Sequence, residues 1–528
     1  MAILKNNEVR MPFWGVRHSF VSGQNPLGLQ SASEALFTAL LPGITNVTNH
    51  IRYYSLYCWL LDQYAHRERD TTVVSQKRFL RRAELQLGVL MRIHEPAVVS
   101  IPGSDHIDPW IKVDKNVTLD LALHADLDTG QPNYWYESWG SFGTYYVGAL
   151  QQLRLVNKGP DGVFRCTEGG VPISGVTLAK AFADSTDPAI QDLFLKNVRN
   201  GKMRRSDSEA LHGAFRLTGI QVGGREHECL KKLIIGPDSQ LPEGAESHLG
   251  TYRRRGTIRH VLRAINADEV GSPNDFALEA YMGKGRLRGE QDEVTTGWYL
   301  YLMNEFWHFG AGAMFYGLLT RLAESQTAVH LPLLVREYAE SIVSVIDGQV
   351  GKASPSTPED LLKHISSEME EYEDEARAAL RSHDPARSGA FGWLMLSVLF
   401  KSNEKLSADL MPALRELHAD RDGHVLEFIE YLRQRRTDPM GEVLSDFILR
   451  YLIYHHQFVA LRKAGAGDLM TLKFILEDQY IRLVETVEPS YTGSRLPTLI
   501  NLFRDMGYLI GDYKLTPVGQ TLLKSLPA

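Results

Sequence analysis

The C-terminal part of the chain carries a short row of polar side chains with the chemistry to contact nucleic acid. They are spaced by three residues along an otherwise apolar segment: Arg495, Thr498, Asn501 and Arg504. Because residues three apart lie on the same side of a helix, all four should share one exposed face. Such side chains can reach phosphate oxygens or base edges in a groove. Lys514, which follows in a predicted hairpin, would add a phosphate contact.

Two clusters of basic residues near the middle of the chain offer further nucleic-acid contacts. The first cluster consists of Arg253, Arg254, Arg255 and Arg259. The second consists of Lys284, Arg286 and Arg288, with glycines around it. Flexible glycines would let such side chains follow a phosphate backbone. The alternative is a solvated surface loop, and the second cluster lacks the spacing of a P-loop.

Arg450 and His455 have the separation found in helical RNA-cutting domains. There the arginine would stabilise phosphate charge and the histidine would act as acid or base. The same separation recurs at Arg255 and His260, and a chain with 18 histidines produces it by chance. We predict no catalytic residue and expect a binding protein rather than an enzyme, with a nuclease as the alternative.

Metal ligands are sparse in the sequence. His124, Asp126 and Asp128 alternate along a possible strand, so their side chains would share one face. No further ligand motif follows them, and acidic pairs are common in turns. The three cysteines are widely separated, which supports neither a disulfide framework nor a zinc knuckle. We predict no metal site and no cofactor.

The elements that would position the terminal polar row have the order of a winged helix. Residues 495–506 predict an amphipathic helix, and Gly507 is its expected C-cap, because a left-handed backbone is favourable there only without a side chain. Residues 508–510 and 513–515 predict two strands around a tight turn. Thr516 would then cap a last helix.

A related pattern occurs near residue 150. A helical stretch that ends near Val156 runs into a Gly-Pro-Asp-Gly turn and a second apolar strand. The tetrapeptide Thr167-Glu-Gly-Gly170 parallels Thr516-Pro-Val-Gly519. This pattern predicts a second winged helix, and the alternative is a helix followed by an unrelated hairpin.

The remaining periodicity is helical. Apolar spacings of three and four run from Asn46 to Arg67 and from Gln76 to Ile93. We predict a mainly α, multi-domain protein with two winged-helix modules. The predicted segments are a helical N-terminal domain (1–135), a first winged helix (136–182), a helical middle domain with basic loops (183–352), a second helical domain (359–465) and a C-terminal winged helix (466–528).

Composition narrows the class of protein. With 528 residues, of which 44% are hydrophobic, the chain is long enough for several globular domains. A net charge of -7 excludes a protein that coats DNA through bulk charge, so any DNA contact must be a local basic patch. The apolar window Trp298–Leu319 contains Asn304, Glu305 and His308, which predicts a buried helix and no membrane span. The charged N-terminus predicts a cytoplasmic protein without a secretion signal.

Three motifs near the start of the chain are Asn25-Pro-Leu-Gly-Leu29, Leu41-Pro-Gly-Ile-Thr45 and Arg52-Tyr-Tyr-Ser55 to Trp59. Together they resemble the start of a group of uncharacterised bacterial proteins from phage-defence gene neighbourhoods, often beside helicases or nucleases. The resemblance carries no catalytic residue. It implies a recognition or assembly subunit of a multi-protein defence complex, with DNA and protein as partners. A purely protein-binding structural subunit is a further alternative.

Overall fold

The computed structural model describes residues 25–68, 71–130, 132–170, 172–236, 249–267, 277, 293–325, 327–351, 355–405, 407–464, 471–511 and 513–526. Within these residues the chain is mainly helical, which confirms the predicted α class. The strands in these ranges are short and antiparallel. Among the described helices, none combines the length and the apolar character that a membrane span requires.

The elements up to residue 266 alternate helices with two small sheets. The helices are α1 (Gln30–Leu40), α2 (Arg52–Arg67), α3 (Val73–His94), α4 (Ser104–Val113), α5 (Leu121–Ala125), α6 (Val147–Gln152), α7 (Gly175–Asp184), α8 (Pro188–Asn200), α9 (Ser208–Phe215), α10 (Arg225–Ile235) and α11 (Leu249–Asn266). A π-helical turn, π1 (Phe142–Tyr146), precedes α6. The strands are β1 (Thr118–Asp120), β2 (Val156–Lys158), β3 (Phe164–Cys166) and β4 (Lys202–Arg204), paired β1 with β4 and β2 with β3.

The elements from residue 293 onward are mostly helices, and one of them is the longest helix in the described residues. These helices are α12 (Glu293–Ala323), α13 (Leu331–Val350), α14 (Pro358–His364), α15 (Met369–Arg381), α16 (Pro385–Asn403), α17 (Ser407–Glu416), α18 (Val425–Gln434), α19 (Met440–Phe447), α20 (His455–Ala464), α21 (Leu496–Asp505) and α22 (Pro517–Ser525). A second π-helical turn, π2 (Ile448–Tyr454), joins α19 to α20. The strands are β5 (Val329–His330), β6 (Phe474–Glu477), β7 (Tyr480–Leu483), β8 (Leu509–Ile510) and β9 (Lys514–Leu515), in a β5-β7-β6 sheet and a β8-β9 hairpin.

The chain divides into two compact units, and neither is continuous in sequence. Unit 1 combines Met1–Leu36 with Thr296–Thr492, and unit 2 combines Phe37–Thr295 with Gly493–Ala528. This is a different kind of division from the five consecutive segments, which remain a prediction. The predicted first winged helix lies in unit 2. The predicted C-terminal winged helix (466–528) is divided, because its residues up to Thr492 belong to unit 1 and those from Gly493 onward to unit 2.

Unit 2 is built around α2, which confirms the helix predicted from apolar spacing. Trp59 of α2 is fully buried and its ring lies 5.3 Å from Phe182, 5.9 Å from Phe194 and 5.4 Å from Phe215. Complete burial of an aromatic side chain contributes about 2–3 kcal/mol. The same helix therefore holds α7, α8 and α9 in place.

Unit 1 is built around α12, and the predicted buried helix is confirmed. Its residue Trp307 is fully buried and stacks on Phe428 at 4.7 Å. The helices α12 and α16 approach closely, because a Cβ atom on Gly392 would lie only 2.6 Å from the carbonyl oxygen of Gly310. A helix that is apolar on all sides is expected at the centre of a unit.

Two ionisable residues of α12 lie inside this core. His308 Nε2 lies 2.7 Å from the side-chain amide of Gln30, and Glu305 accepts a hydrogen bond of 2.6 Å from the amide of Thr492. Burial raises the pKa of Glu305 to about 7 and lowers the pKa of His308 to about 4. Glu305 is therefore protonated across the acidic range while His308 stays neutral at physiological pH.

Two segments of unit 2 share one local structure, a helix, an antiparallel hairpin and a second helix. The first module is α6-β2-β3-α7, and the second module is α21-β8-β9-α22. In each module a threonine after the hairpin donates its hydroxyl to the carbonyl of a residue with positive φ beyond the first helix. Thr167 donates to Arg154, and Thr516 donates to Gly507, at 2.7 Å in both cases. The predicted left-handed conformation of Gly507 and the predicted cap at Thr516 are confirmed, although the C-cap residue is Met506 and Gly507 follows it.

A glycine near the start of the second helix completes the shared pattern. Gly175 donates its amide to Thr167 Oγ1 at 3.1 Å, and Gly519 donates to Thr516 Oγ1 at 3.0 Å. The predicted parallel of Gly170 with Gly519 is wrong, because Gly175 makes the bond equivalent to that of Gly519. Seven residues separate Thr167 from Gly175, whereas two separate Thr516 from Gly519. A Cβ atom on Gly175 or Gly519 would lie 2.0 or 2.2 Å from a backbone carbonyl oxygen.

The close contact at Gly519 predicts a specific loss of stability. Gly519→Ala should lower the free energy of unfolding by about 2 kcal/mol or more, because the carbonyl of Tyr508 cannot rotate away. Gly441→Ala is the matched control, since Gly441 also lies in the first turn of a helix and its Cβ position is empty. It should stabilise by up to about 1 kcal/mol. Urea denaturation of both variants measures the difference, and equal effects would contradict the assignment.

Glu305 predicts a pH dependence with a defined sign. Because its folded pKa of about 7 lies above the ordinary value of 4.5, the native state binds more protons, and its contribution to stability falls as pH rises between these values. Glu305→Gln should therefore gain about 3 kcal/mol relative to the parent protein between about pH 4.5 and about pH 8. His308 titrates in both proteins and cancels in the comparison. A difference that stays constant with pH in urea denaturation would contradict this prediction.

Candidate nucleic-acid interface and aromatic cleft

The predicted polar row of the second module begins at a packed arginine. Arg495 lies just before α21 with a φ of 63°. Its guanidinium carbon is 4.3 Å from the ring centroid of Phe37, and its Nη2 donates to Thr38 Oγ1 at 3.0 Å. The cation–π contact and the hydrogen bond hold Arg495 against α1. The Arg495 side chain is therefore bound to residues of α1 in this structure.

The next two members of the row contact Asn49. Thr498 is 2% exposed, and its hydroxyl lies 3.5 Å from Asn49 Oδ1. The Asn501 side-chain amide donates to the same oxygen at 3.3 Å. The predicted row does share one face of α21, but the expectation that this face is exposed is wrong for Thr498. Residues from an early part of the sequence cover it.

Arg504 and Lys514 are the members of the predicted set with exposed side chains. Arg504 donates to Asn501 Oδ1 at 3.0 Å and to the Gly511 carbonyl at 3.3 Å. The neighbouring Asp505 is half-buried and accepts hydrogen bonds of 3.2 Å from His50 and from the Ile51 amide. The Asp505 carboxylate is therefore hydrogen-bonded to other residues of unit 2.

The first basic cluster lies on α11 and not on a solvated loop. Arg254 is 1% exposed, and its three guanidinium nitrogens donate to the carbonyls of Ile234, Pro42 and Leu233. Burial lowers the pKa of Arg254 to about 10, so it remains charged at neutral pH. Its predicted contact with phosphate is replaced by a role in packing, because backbone carbonyls satisfy its charge.

The other members of that cluster are also withdrawn from solvent. Arg253 is buried and pairs with Glu293 at 2.5 Å. Arg255 and Arg259 are half-buried on the same helix. A DNA contact through this cluster remains a prediction. The second basic cluster, Lys284, Arg286 and Arg288, lies outside the described residues.

The spacing Arg450–His455 spans π2. Arg450 lies over the ring of Tyr431 at 5.6 Å and 3.9 Å from Asp446, whereas His455 lines a cavity with Arg462. The two side chains therefore have separate surroundings.

His124 lies on the short helix α5, so the expected strand is wrong. Its neighbour Asp126 accepts a hydrogen bond of 2.8 Å from Arg82. His124 Nδ1 instead lies 3.1 Å from His106 Nε2, and its ring packs 4.1 Å from Trp110. Burial lowers the pKa of both histidines, which favours a neutral pair. No shared face for a metal results from this arrangement.

The His106 side of this pair opens on a cleft of about 610 Å³ in unit 2, which we call the aromatic cleft. Its walls come from four stretches of chain and combine aromatic rings with hydroxyl, amide, imidazole and carboxylate groups. They are Val47, Asn49, Ser100–His106, Asn133–Tyr136 and Tyr145.

The aromatic rings of the cleft form a continuous surface. Tyr136 is 78% exposed and stacks on Trp135, with ring centroids 5.9 Å apart and an interplanar angle of 24°. Tyr145 meets the same indole edge-on at 5.1 Å. Trp135 Nε1 donates to Thr144 Oγ1 at 2.9 Å, which fixes the plane of the indole. A flat ligand finds a rigid ring face here.

Two residues of α3, one turn apart, hold this aromatic segment. Arg81 donates through its guanidinium to the carbonyls of Ala125, Trp135 and Glu137, and it is 1% exposed. Its guanidinium also lies over the ring of Tyr134 at 5.1 Å. The loop therefore has its backbone carbonyls satisfied by a buried cation.

Glu84 is the second of these residues. Its carboxylate accepts hydrogen bonds from the hydroxyls of Tyr57 and Tyr134 and from the amides of Ser141 and Phe142. These two amides lie at the start of π1, where backbone N–H groups have no partner within the helix and a carboxylate is a favourable cap. The carboxylate thus ties the aromatic loop to the π-helical turn that carries Tyr145.

The cleft is connected to the terminal module by a chain of hydrogen bonds. Asn49, a wall residue, donates to Ser100 Oγ at 3.2 Å and accepts from Asn501 at 3.3 Å. Asn501 in turn accepts from Arg504 at 3.0 Å. The exposed Arg504 is therefore two hydrogen bonds away from the wall residue Asn49.

Sequence reasoning missed the aromatic cleft. The sequence predicts residues 1–135 as a helical N-terminal domain and places Tyr145 in the first winged helix (136–182), and neither prediction marks these residues as a binding surface. A usable signal was present, because seven of the thirteen residues from 134 to 146 are aromatic in a chain that is 9% aromatic overall. Glu84 offered no signal, since a glutamate in a helix is normally solvated.

The chain matches no protein-family model, no curated protein and no solved structure.

Gly140 tests the Glu84 cap. A Cβ atom on Gly140 would lie 2.4 Å from Glu84 Oε2 and 2.6 Å from the Tyr134 hydroxyl, at a φ of 68°. Gly140→Ala should destabilise by about 3 kcal/mol or more, because the cap must open. Gly130→Ala is the matched control with a φ of 69° and an empty Cβ position, and should cost about 1 kcal/mol. Equal losses in urea denaturation would contradict a central role for the cap.

Proposed function

We propose that this chain is a nucleic-acid-binding or scaffold subunit of a bacterial multi-protein anti-phage defence complex, and that the aromatic cleft holds unstacked bases of a single strand. The defence context rests on the three motifs between residues 25 and 59, which resemble the start of bacterial proteins from phage-defence gene neighbourhoods. The proposal also treats the two modules as winged helices, supported by their shared order of helix, hairpin and helix and by the equivalent Thr167 and Thr516 hydrogen bonds.

The observation that carries the proposal is the rigid ring surface of Trp135, Tyr136 and Tyr145. Every base has a π face, so exposed aromatic rings bind single strands without a need for a particular sequence. Arg81 holds the backbone carbonyl of Trp135, and Thr144 accepts a hydrogen bond from its indole, so little entropy is lost when a base stacks on this ring. The hydroxyl, amide and imidazole groups of the walls supply donors and acceptors for base edges.

Arg504 supports the same reading through its position. A base in the cleft brings its phosphate to the outside, and the hydrogen-bond chain through Asn49 and Asn501 places an exposed guanidinium near the wall. A local cation of this kind suits a protein with a net charge of -7. We therefore keep Arg504 and Asn501 as proposed nucleic-acid contacts. In this proposal they lie beside a strand in the cleft, and α21 does not enter a groove.

Binding of labelled single-stranded DNA and RNA of about 12 nucleotides tests this proposal. Tyr136→Ala should weaken binding by about tenfold, because one stacking surface is lost. Tyr480→Ala is the control, since Tyr480 is a 52% exposed tyrosine in unit 1. Unchanged affinity for both nucleic acids in Tyr136→Ala, or no binding by the parent protein, would remove the cleft as the interface.

The salt dependence of the same binding tests Arg504. Arg504→Gln should weaken binding and make the slope of log K against log salt shallower by about 0.7, the contribution of one phosphate contact to a single strand. Arg336→Gln is the matched control, because the Arg336 side chain is 67% exposed on α13 and outside the cleft. An unchanged slope in Arg504→Gln would show that this guanidinium does not meet a phosphate.

A further inference from the structure

Unit 1 exposes a row of three large apolar side chains, which we call the apolar row. Tyr454, Phe458 and Leu461 are 52%, 56% and 63% exposed. They lie four and three residues apart where π2 continues into α20. The intervening residues His456 and Val459 are buried, so the helix packs on its other side. Apolar side chains at this spacing are typical of a helix face that packs on another helix.

Positive charge lies at both ends of the apolar row. Arg450 precedes Tyr454 by one turn, with its side chain 57% exposed and Asp446 at 3.9 Å. Arg462 follows Leu461, is exposed, and lies over the ring of Phe458 at 5.8 Å. An exposed ion pair at 3.9 Å contributes little, so Arg450 keeps most of its attraction for an anionic partner.

A cavity of about 470 Å³ opens beside Phe458. Its walls include Arg421 and Arg462 together with Asp420 and Asp422, so it carries both signs of charge. One apolar side chain of a docked helix has room next to Phe458. A carboxylate one turn away on that helix would reach Arg462.

A second copy of this chain is a poor occupant of the apolar row. In a parallel pair of α20 helices, Arg450 would face Arg450 and Arg462 would face Arg462. In an antiparallel pair centred on Phe458, Arg450 of one copy would lie within about one turn of Arg462 of the other. Like charges meet in both arrangements, which is unfavourable. An acidic helix avoids both Arg–Arg encounters, although Asp420, Asp422 and Asp446 are like charges near the ends of the row.

We propose that the apolar row binds an amphipathic helix of another protein, with acidic residues flanking its apolar face. This interaction is separate from nucleic-acid binding at the aromatic cleft. It names the kind of protein partner that a subunit of a larger complex would use.

Two synthetic helical peptides test the proposal with the full chain. Both carry leucines at i, i+4 and i+7, and they differ only in flanking glutamates or lysines. In fluorescence anisotropy the glutamate peptide should bind at least about tenfold more tightly. Phe458→Ser should weaken its binding by about tenfold or more, as for a central aromatic anchor. Tyr480→Ala, which alters an equally exposed tyrosine elsewhere in unit 1, should leave binding unchanged.

Arg462→Glu provides the charge test. It should weaken the glutamate peptide and strengthen the lysine peptide, because the sign at one end of the row is reversed. A variant that is merely misfolded would weaken both peptides. Circular dichroism of each variant records its helical content as a second check.

Each remaining outcome overturns the proposal. Equal affinity for both peptides, or binding of neither, would remove the acidic helix as occupant. Sedimentation that shows a dimer lost in Phe458→Ser would assign the row to a second copy. Peptide binding that occurs only in a chain lacking residues 1–24 would assign it to that segment.

Discussion

The aromatic cleft depends on one buried carboxylate, that of Glu84. Four donors from three parts of unit 2 converge on it: the hydroxyls of Tyr57 and Tyr134 and the amides of Ser141 and Phe142. Burial raises the pKa of Glu84, and the four hydrogen bonds oppose that shift by favouring the charged form. Each buried donor left without its acceptor would cost about 1–3 kcal/mol. The loop that carries the ring surface is therefore held by this acceptor together with the Arg81 guanidinium, both on α3.

Local patterns predicted much of the fold. Apolar spacing located α2, α3 and the buried α12, and the residues around Gly507 and Thr516 predicted the turn and the cap of the second module. These features depend on neighbours within a few residues, so the sequence contains all the information they need. Thr498 shows where this ends. Its helix face was predictable, but the residue that covers it, Asn49, lies 449 positions away.

The same reason explains the basic and aromatic residues. Arg254 looked like a phosphate contact because its charge is visible in the sequence, whereas the carbonyls of Pro42, Leu233 and Ile234 that accept its hydrogen bonds are brought together only by the fold. Glu84 is buried because its four donors converge from separate elements of the fold. Each unit therefore carries one proposed surface, the aromatic cleft in unit 2 and the apolar row in unit 1. A subunit that joins nucleic acid to another protein needs two such surfaces.

Photo-cross-linking tests whether bases of a single strand contact the aromatic cleft. A single-stranded oligonucleotide with one photoreactive halogenated base, irradiated with the full chain and mapped by mass spectrometry, identifies the side chains in contact with that base. If bases stack in the aromatic cleft, we expect cross-links at Tyr136, Trp135 or Tyr145, and their loss when Gly140→Ala opens the Glu84 cap. Cross-links confined to α11 or to the β8-β9 hairpin, with none in the aromatic cleft, would contradict it.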